Sequence, residues 1–393
     1  MKKFLAAIAA FCMMIQTIPV AADEAQKPSV EALGAILMDF DTGRVLWEKN
    51  AREPLAMAST TKIMTCIVAL ENAGLADQVT VSKRAAAAPD VQMNLQAGET
   101  ISLHDLLYAM MLQSSNDAAV AVAEYVGGSA ENFCRMMTEK ALALGASDTV
   151  FETPNGLDAG EHHSTAYDLA VIARYALQNE TFAQIIRTPA YTAVSSRTAY
   201  AVTNKNRLLH ELSGAQGIKT GFTGKAGHCF VGAAERDGLR LISVVLGSGW
   251  GAHGKEQKWV DTKRLLNYGF AAYEQVAALP ADADAGALSI ERARIDSVPL
   301  YFVESVTIPL TAAEREGMEL RVNRPELRRA PVEKDETVGT ADIIINGEVY
   351  QSVAIRTADA VERHDLKTSL EKVLEAFLGL GTMEDIEIVL PEF

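Results

Sequence analysis

The chain has 393 residues, of which 49% are hydrophobic and 22% charged, a composition that excludes an intrinsically disordered protein. The length predicts two or three domains. Acidic residues outnumber basic ones by 51 to 36, and the net charge of -15 argues against a nucleic acid partner, because phosphates would repel it.

The first 22 residues have the pattern of a secretory signal peptide. Lys2 and Lys3 supply the positive start, Phe4 to Val20 is largely apolar, and small residues at 20–22 offer a cleavage site. The alternative is a transmembrane anchor, but the apolar run is short for one and Asp23 soon follows it. We therefore expect an exported protein at the outer face of the cell membrane or in the periplasm or cell wall.

Three cysteines remain after Cys12 leaves with the signal peptide, and they are widely spaced. An odd number at such spacing does not make a disulfide framework. We expect Cys66, Cys134 and Cys229 to be buried free thiols.

Residues 28–277 are expected to form an α+β domain, in which strands from both ends of the segment enclose a helical insert. Apolar periodicity predicts helices over residues 59–72, 102–110, 117–126, 130–144, 165–177 and 259–276. β-strand patterns are found at residues 35–38, 45–47, 218–221, 229–234 and 239–246.

The composition changes after the last of these helices. Residues 277–287 are rich in Ala, Asp and Pro and are interpreted as a linker. Short alternating runs then predict a small all-β domain over 288–361, with the strongest hairpin signal at Asn346-Gly347.

Residues 366–393 are predicted to form an amphipathic helix and a tail. One apolar face is made by Leu370, Val373, Leu374, Phe377 and Leu378. This face could lie on a membrane surface as a peripheral anchor, or it could pack against its own domain. The acidic residues around it would be repelled by anionic lipids, so both alternatives stay open.

The first motif that carries chemistry is Ser59-Thr60-Thr61-Lys62. Ser59 and Lys62 lie on the same face of a helix, one turn apart. A serine hydroxyl needs a base beside it, and Lys62 can serve when burial or a neighbouring cation keeps it neutral. By itself the motif is short, and a serine N-cap with a solvent-facing lysine is the commoner interpretation.

The second motif is Ser114-Ser115-Asn116, which lies between two predicted helices. A Ser-x-Asn sequence at such a junction is ordinarily a helix cap. In a serine acyl-transfer site, Ser114 could relay a proton to the leaving amine and Asn116 could hold the substrate amide.

The third motif is Lys219-Thr220-Gly221, on a predicted strand after the helical insert. Lys219 and Thr220 could bind a carboxylate, and Gly221 would let the substrate backbone approach closely. The backbone N–H of Phe222, together with that of Ser59, could form an oxyanion hole.

Taken together and in this order, the three motifs resemble those of the penicillin-recognising serine enzymes, the penicillin-binding proteins and serine β-lactamases. The surrounding sequences are similar to those of the low-molecular-mass D-alanyl-D-alanine carboxypeptidases, at residues 58–65, 111–118, 156–168 and 217–223. The resemblance covers roughly residues 30–360. It implies a β-lactamase/penicillin-binding-protein-like catalytic domain followed by the small all-β domain.

The resemblance further implies an enzyme that removes the terminal D-alanine from peptidoglycan pentapeptides through a Ser59 acyl-enzyme and is acylated by β-lactams. Lys62 would take the proton of Ser59, Ser114 would pass one to the leaving D-alanine, and Lys219 with Thr220 would bind the terminal carboxylate. The alternatives are a β-lactamase, and a non-catalytic penicillin sensor or wall-binding protein.

Two positions depart from the family pattern. Phe222 follows the glycine of Lys-Thr-Gly where some family members have histidine or threonine. A further cation near the substrate carboxylate is expected after the last strand, but residues 255–259 contain no arginine. Lys258 is therefore the candidate, and a solvated lysine at a helix start is the alternative.

No cofactor or metal is expected. His162 and His163 are adjacent, but no carboxylate or cysteine stands at ligand spacing from them. We therefore predict that this pair lies in a polar loop.

Overall fold

The computed structural model describes residues 26–363 together with Leu370, Val373, Leu374 and Phe377. The predicted signal peptide, residues 1–22, lies outside the described residues, as does most of the predicted C-terminal helix and tail at 366–393. Among the helices that the structure describes, none combines the length and the hydropathy that a membrane span requires.

The larger domain begins with a strand pair and ends with a long helix. Its elements are β1 (Gly34–Asp39), β2 (Val45–Lys49), a 3₁₀ turn (Ala58–Thr61), α1 (Lys62–Asn72), β3 (Gln78–Thr80), α2 (Lys83–Ala86), β4 (Thr100–Ser102), α3 (Leu103–Leu112), α4 (Asn116–Gly127), α5 (Ala130–Ala143), α6 (Ala166–Ala176), α7 (Glu180–Arg187), β5 (Ala190–Val194), β6 (Ala199–Thr203), α8 (Leu208–Glu211), β7 (Ala215–Thr223), β8 (Gly227–Arg236), β9 (Leu239–Leu246) and α9 (Gly251–Ala272).

The central sheet of this domain has five antiparallel strands in the order β2-β1-β9-β8-β7. Both ends of the domain sequence contribute to it, as predicted, because β1 pairs with β9. The side chains of β1 alternate between two cores: Ile36 and Met38 pack with the helical insert, whereas Ala35 and Leu37 pack on the side of α9. Strand β7 is an edge of the sheet.

Helix α1 is the centre of the helical core, and the side chains of Ile63, Met64, Cys66 and Ile67 are all buried. A helix that is apolar on all sides requires such a position, as its sequence indicated. The helix was predicted to begin at Ser59, but Ser59 lies on the 3₁₀ turn, and α1 begins at Lys62. The three expected free thiols are present and buried.

The predicted helix over residues 259–276 is wrong at both ends. Helix α9 already begins at Gly251, and it ends at Ala272. Residues Glu274–Leu279 instead form a strand. This strand includes the first three residues of the predicted linker at 277–287. A short apolar run such as Val276-Ala277-Ala278-Leu279 fits a helix or a strand, and pairing with a distant strand decides between them.

The smaller domain is almost entirely β, as expected. Its elements are β10 (Glu274–Leu279), β11 (Ala287–Glu291), β12 (Ser297–Phe302), β13 (Val306–Leu310), α10 (Ala312–Glu316), β14 (Glu319–Asn323), β15 (Leu327–Arg329), β16 (Thr337–Ile345) and β17 (Glu348–Thr357). Six strands form one sheet in the order β14-β16-β17-β12-β11-β15, and β10 pairs with β13. The hairpin predicted at Asn346-Gly347 joins β16 to β17, and both turn residues have positive φ.

Arg44, in the turn between β1 and β2, joins the two domains. Its guanidinium pairs with the Glu314 carboxylate of α10 and donates to the carbonyl oxygen of Pro309. The rings of Tyr273 and Tyr350 lie 6.0 and 5.9 Å from the guanidinium carbon. This contact holds the small domain against the β1–β2 turn of the central sheet.

Candidate active site

The backbone around Ser59 is held by close packing on both sides. Ala58, which precedes it, has a φ of 50°, in the left-handed region that residues other than glycine rarely adopt. A Cβ atom at Gly156 would lie 2.0 Å from the carbonyl oxygen of Ala58, and one at Gly221 would lie 3.0 Å from the nitrogen of Ser59. A side chain at Gly156 would displace this turn, and one at Gly221 would contact it very closely, so glycine at both positions lets a loop and strand β7 pack against the turn.

Lys62 stands beside the Ser59 hydroxyl and has no solvent exposure. Its Nζ lies 3.0 Å from Ser59 Oγ, 2.7 Å from Asn116 Oδ1 and 2.5 Å from the carbonyl oxygen of Asn155. Burial holds the pKa of Lys62 well below its usual value, and the charge of Lys219 lowers it further. An amine in this position can be neutral, which is the state that a base requires.

Asn116 and Ser114 both reach the site from the junction between α3 and α4, but they are held differently. Asn116 Nδ2 donates to the carbonyl oxygen of Pro89 at 2.8 Å, which turns Oδ1 of the same amide towards Lys62. Ser114 has a φ of 72° and is almost buried. Within the described residues its hydroxyl makes no hydrogen bond, to Lys62 or to any other group.

The sequence analysis missed Asp117, whose fully buried carboxylate supports this junction. It accepts the N–H groups of Met93, Leu95 and Ala118 at 3.0 to 3.1 Å for the first two and 2.9 Å for the third. The segment that it anchors also supplies the carbonyl of Val91, which accepts the Asn116 N–H at 2.7 Å. An acidic residue in the first turn of a helix was visible in the sequence, but its distant partners were not.

Lys219 lies on edge strand β7 and is 2% exposed. Its Nζ donates to the carbonyl oxygen of Thr220 at 3.1 Å. Burial lowers the pKa of Lys219 to about 7, and the charges of Lys205 and Lys258 act in the same direction. The Lys-Thr-Gly strand and two further cations are therefore close together.

Lys258 is not a solvated lysine at a helix start. It lies inside α9 and is 7% exposed, and burial lowers its pKa to about 8. Its Nζ is 3.4 Å from Nδ1 of His228. The His228 ring stacks in turn on the half-exposed ring of Phe222, with 4.3 Å between centroids. The buried position favours the candidate role of Lys258 over the alternative.

Lys205 was not identified from the sequence. It follows β6, and its N–H donates to the carbonyl oxygen of Leu112 at 3.1 Å. Its side chain forms no ion pair within the part of the chain that the structure describes. No motif marks this lysine, because only the fold brings the loop after β6 to the Lys219 strand.

His162 lies in the predicted loop, but its side chain is buried, with 3% exposure. It contacts Thr61 of the first motif, with 2.9 Å between Nε2 and Oγ1. Across residues 26–363 and the four described residues beyond, no group of three or more His, Cys, Asp or Glu side chains could hold a metal ion.

Comparisons with known proteins agree with this geometry. The family description "D-alanyl-D-alanine carboxypeptidase" matches residues 21–249, and "Penicillin-binding protein 5, C-terminal domain" matches residues 273–363. The carboxypeptidase DacC of Escherichia coli K12 is 35% identical over 375 residues, covering 91% of this chain and 91% of that protein. DacF of Bacillus subtilis 168, also a D-alanyl-D-alanine carboxypeptidase, is 29% identical over 355 residues, covering 88% and 89%.

Among solved structures, penicillin binding protein 5 from Haemophilus influenzae superposes with a TM-score of 0.73 at 27% identity, covering 86% of this chain and 99% of that one. The predicted fold, a catalytic α+β domain followed by an all-β domain, is thereby confirmed. The first family description covers more than half of the chain, and the chain therefore belongs to the D-alanyl-D-alanine carboxypeptidase family of serine peptidases.

Proposed function

We propose that this protein removes the terminal D-alanine from peptidoglycan stem peptides through an acyl-enzyme on Ser59. One observation carries the proposal: the buried amine of Lys62 lies 3.0 Å from the Ser59 hydroxyl. Nucleophile and base within hydrogen-bond reach, with the base oriented by further groups, are the arrangement that covalent catalysis requires.

The partners of Lys62 also set the direction of proton transfer. A neutral amine has two N–H groups and one lone pair. When the N–H groups donate to Asn116 Oδ1 and the carbonyl oxygen of Asn155, the lone pair is left for the Ser59 proton. Ser59 Oγ then attacks the carbonyl carbon between the two D-alanine residues while its proton passes to Lys62.

Strand β7 supports the binding of an extended peptide. As an edge strand it can pair with one more strand, and peptide recognition often uses such an edge. The N–H groups of Ser59 and Phe222 are the proposed oxyanion donors. Lys219, Thr220 and Lys258 would bind the terminal carboxylate, with Lys205 adding positive charge.

The later steps involve Ser114. Its hydroxyl, which has no partner among the described residues, would receive the proton held by Lys62 while it gives its own to the leaving D-alanine amine, so that Lys62 becomes neutral again. Water would then attack the acyl-enzyme and release the shortened peptide. β-Lactams present a cyclic amide beside a carboxylate, so the same groups would guide them to acylate Ser59.

A labelled penicillin tests the nucleophile, and release of D-alanine from diacetyl-Lys-D-Ala-D-Ala tests the activity. We expect the wild type to be labelled and to release D-alanine, and Ser59→Ala to do neither. Ser289→Ala, an exposed serine of the small domain, is the matched control and should behave as wild type. Labelling of Ser59→Ala would contradict the proposal.

The same measurements separate the alternative functions. Rapid turnover of a chromogenic β-lactam would indicate a β-lactamase. Labelling without any release of D-alanine would indicate a penicillin sensor or a wall-binding protein. Slow release of the penicilloyl group with efficient release of D-alanine is expected for the carboxypeptidase.

The proposed function includes export, and cleavage of the signal peptide would leave Asp23 as the first residue. N-terminal sequencing of the protein recovered outside the cytoplasm checks this. A cytoplasmic protein that retains residues 1–22 would contradict it.

We also propose peripheral membrane contact through the C-terminal segment. Four residues of its apolar face are described, and all four are helical: Leu370, Val373 and Phe377 are 50%, 64% and 89% exposed, and Leu374 is half-buried. This supports a largely unpacked face that could lie in a membrane surface. Truncation after Asp365 should release the protein from membranes, whereas a Glu375→Gln variant of the full chain should stay bound; unchanged partitioning of the truncated protein would refute the contact.

A further inference from the structure

His162 has a fixed tautomer, although none of the three motifs contains it. Its Nδ1 accepts the backbone N–H of Glu152 at 3.0 Å. Because a backbone N–H can only donate, Nδ1 carries no proton and the neutral ring must carry its proton on Nε2. Burial lowers the pKa of His162 to about 4, so the ring is neutral at neutral pH. Nε2 therefore donates to its neighbour, Thr61 Oγ1, at 2.9 Å.

The hydroxyl of Thr61 accepts from His162 and donates in turn to the backbone. Its single proton goes to the carbonyl oxygen of Ala58, at 2.8 Å. The three groups thus form one directed chain, from the imidazole N–H through the hydroxyl to the carbonyl. A hydroxyl that accepts a hydrogen bond becomes a stronger donor, so the two bonds support each other.

The end of this chain is the strained residue of the active site. Ala58 has a φ of 50°, which costs on the order of 1 kcal/mol for a residue other than glycine and needs support from its surroundings. The peptide unit between Ala58 and Ser59 carries the Ala58 carbonyl at one side and the Ser59 N–H at the other. Fixing the carbonyl therefore fixes the direction of the N–H, since the peptide unit is planar.

We propose that His162 is a positioning residue, which acts through Thr61 and the Ala58 carbonyl to aim the Ser59 N–H at the developing oxyanion. The inference rests on the proposed function of Ser59. In this role His162 neither contacts the substrate nor transfers a proton. Its effect should appear in the rate of acylation, while the groups that bind the substrate carboxylate stay in place.

Two pairs of matched variants test this chain. His162→Gln keeps a donor near the position of Nε2, whereas His162→Asn keeps only the acceptor near Nδ1. Thr61→Ser keeps the hydroxyl, whereas Thr61→Val removes it at nearly constant volume. Rapid-mixing kinetics with a fluorescent penicillin give the acylation rate constant and the dissociation constant of the preceding complex, and thermal unfolding confirms that each variant is folded.

We expect His162→Asn and Thr61→Val to lower the acylation rate constant on the order of tenfold to a hundredfold, with the dissociation constant nearly unchanged. His162→Gln and Thr61→Ser should restore most of the rate. The double variant His162→Asn/Thr61→Val should be no slower than the slower single variant, because both changes break the same chain.

Equal losses in His162→Asn and His162→Gln would overturn the proposal, as would wild-type rates in His162→Asn and Thr61→Val or additive losses in the double variant. If His162→Asn does not fold, the Thr61 pair decides alone. A wild-type protein that penicillin fails to acylate would instead refute the proposed function of Ser59, so the two failures are distinguishable.

Discussion

Basic side chains in the active site and in the small β domain differ in their exposure to solvent and in their ion pairing. Lys62 and Lys219 have exposed fractions of 0% and 2%, and neither forms an ion pair within the described residues. In the small domain, Arg294 and Arg329 pair with glutamates at the surface, where the arginine side chains are 60% and 71% exposed. The two buried lysines lack water and a paired carboxylate, although the charge of Asp117 acts on Lys62 without an ion pair, whereas the two arginines have both water and a paired carboxylate.

This difference shows what burial does to a lysine. Burial destabilises the charged form of Lys62 and the charge of Lys219 adds to this, so its pKa falls although the charge of Asp117 opposes the change; this is the state that the proposed base requires. The arginines of the small domain remain ordinary charges, and exposed pairs of this kind contribute about 0–1 kcal/mol. Burial of an amine without an ion pair lowers stability, and strongly perturbed groups of this kind are concentrated in functional sites, which supports the proposed role of Lys62.

Replacement of the buried base should have the largest effect. We expect Lys62→Met to lower the rate of penicillin acylation by on the order of 10³-fold, because the Ser59 proton loses its acceptor. Thermal stability should change little, since the removal of a buried amine is offset by the loss of its hydrogen bonds to Asn116 Oδ1 and the Asn155 carbonyl oxygen. Arg329→Met in the small domain is the control and should acylate like the wild type; a similar loss there would contradict the comparison.

A methyl group at Gly156 should be next in size. Its Cβ would lie 2.0 Å from the Ala58 carbonyl oxygen, so the turn before Ser59 must shift, and we expect about a hundredfold loss of acylation. Gly347→Ala is the matched control, because it also has a positive φ, of 81°, but no atom within 4 Å of the new Cβ. That variant should lose about 1 kcal/mol of stability and no activity; equal acylation by both variants would refute the role of the contact.

The pH profile should report both buried lysines. The value of kcat/KM rises with pH as Lys62 loses its proton, and it falls above about pH 7, where Lys219 loses the charge that would bind the carboxylate. Lys219→Arg keeps its charge to much higher pH, so the alkaline limb should move up by about one unit or more. An alkaline limb that stays in place in this variant would show that another group causes it.

The smallest effect on catalysis is expected at the junction of the domains. Arg44→Ala leaves the Glu314 carboxylate without its partner, which should destabilise the small domain by about 1–3 kcal/mol. D-alanine release should change less than about twofold, because the pocket keeps all its contacts. Calorimetry and the peptide assay measure the two effects, and Arg294→Ala, an exposed pair, should change neither.

The sequence was informative where a local pattern and a local structure coincide. Ser59 and Lys62 are one helical turn apart, so the spacing placed them on one face, although it did not show that Lys62 is buried. The apolar surroundings of α1 and the hairpin at Asn346-Gly347 follow from equally short-range rules.

What the sequence could not provide depends on contacts between distant segments. The carbonyl of Asn155 is a partner of Lys62, yet a backbone oxygen has no signature in a sequence. Lys205 and His162 reach the motifs only through the path of their loops. The end of α9 at Ala272 was mistaken because the strand that follows is stabilised by pairing with β13, beyond any local signal.

The pairing of β1 with β9 limits when the catalytic domain can fold during synthesis. Gly34 stands opposite Leu246, so the sheet closes only after nearly the entire catalytic segment has emerged from synthesis. Contacts between such distant residues form slowly, because a long loop must first be ordered. Until β8 and β9 are available, β7 has no sheet to join, and Gly221 is not held against the turn that carries Ser59. We therefore expect Ser59 to be unreactive in the incomplete chain.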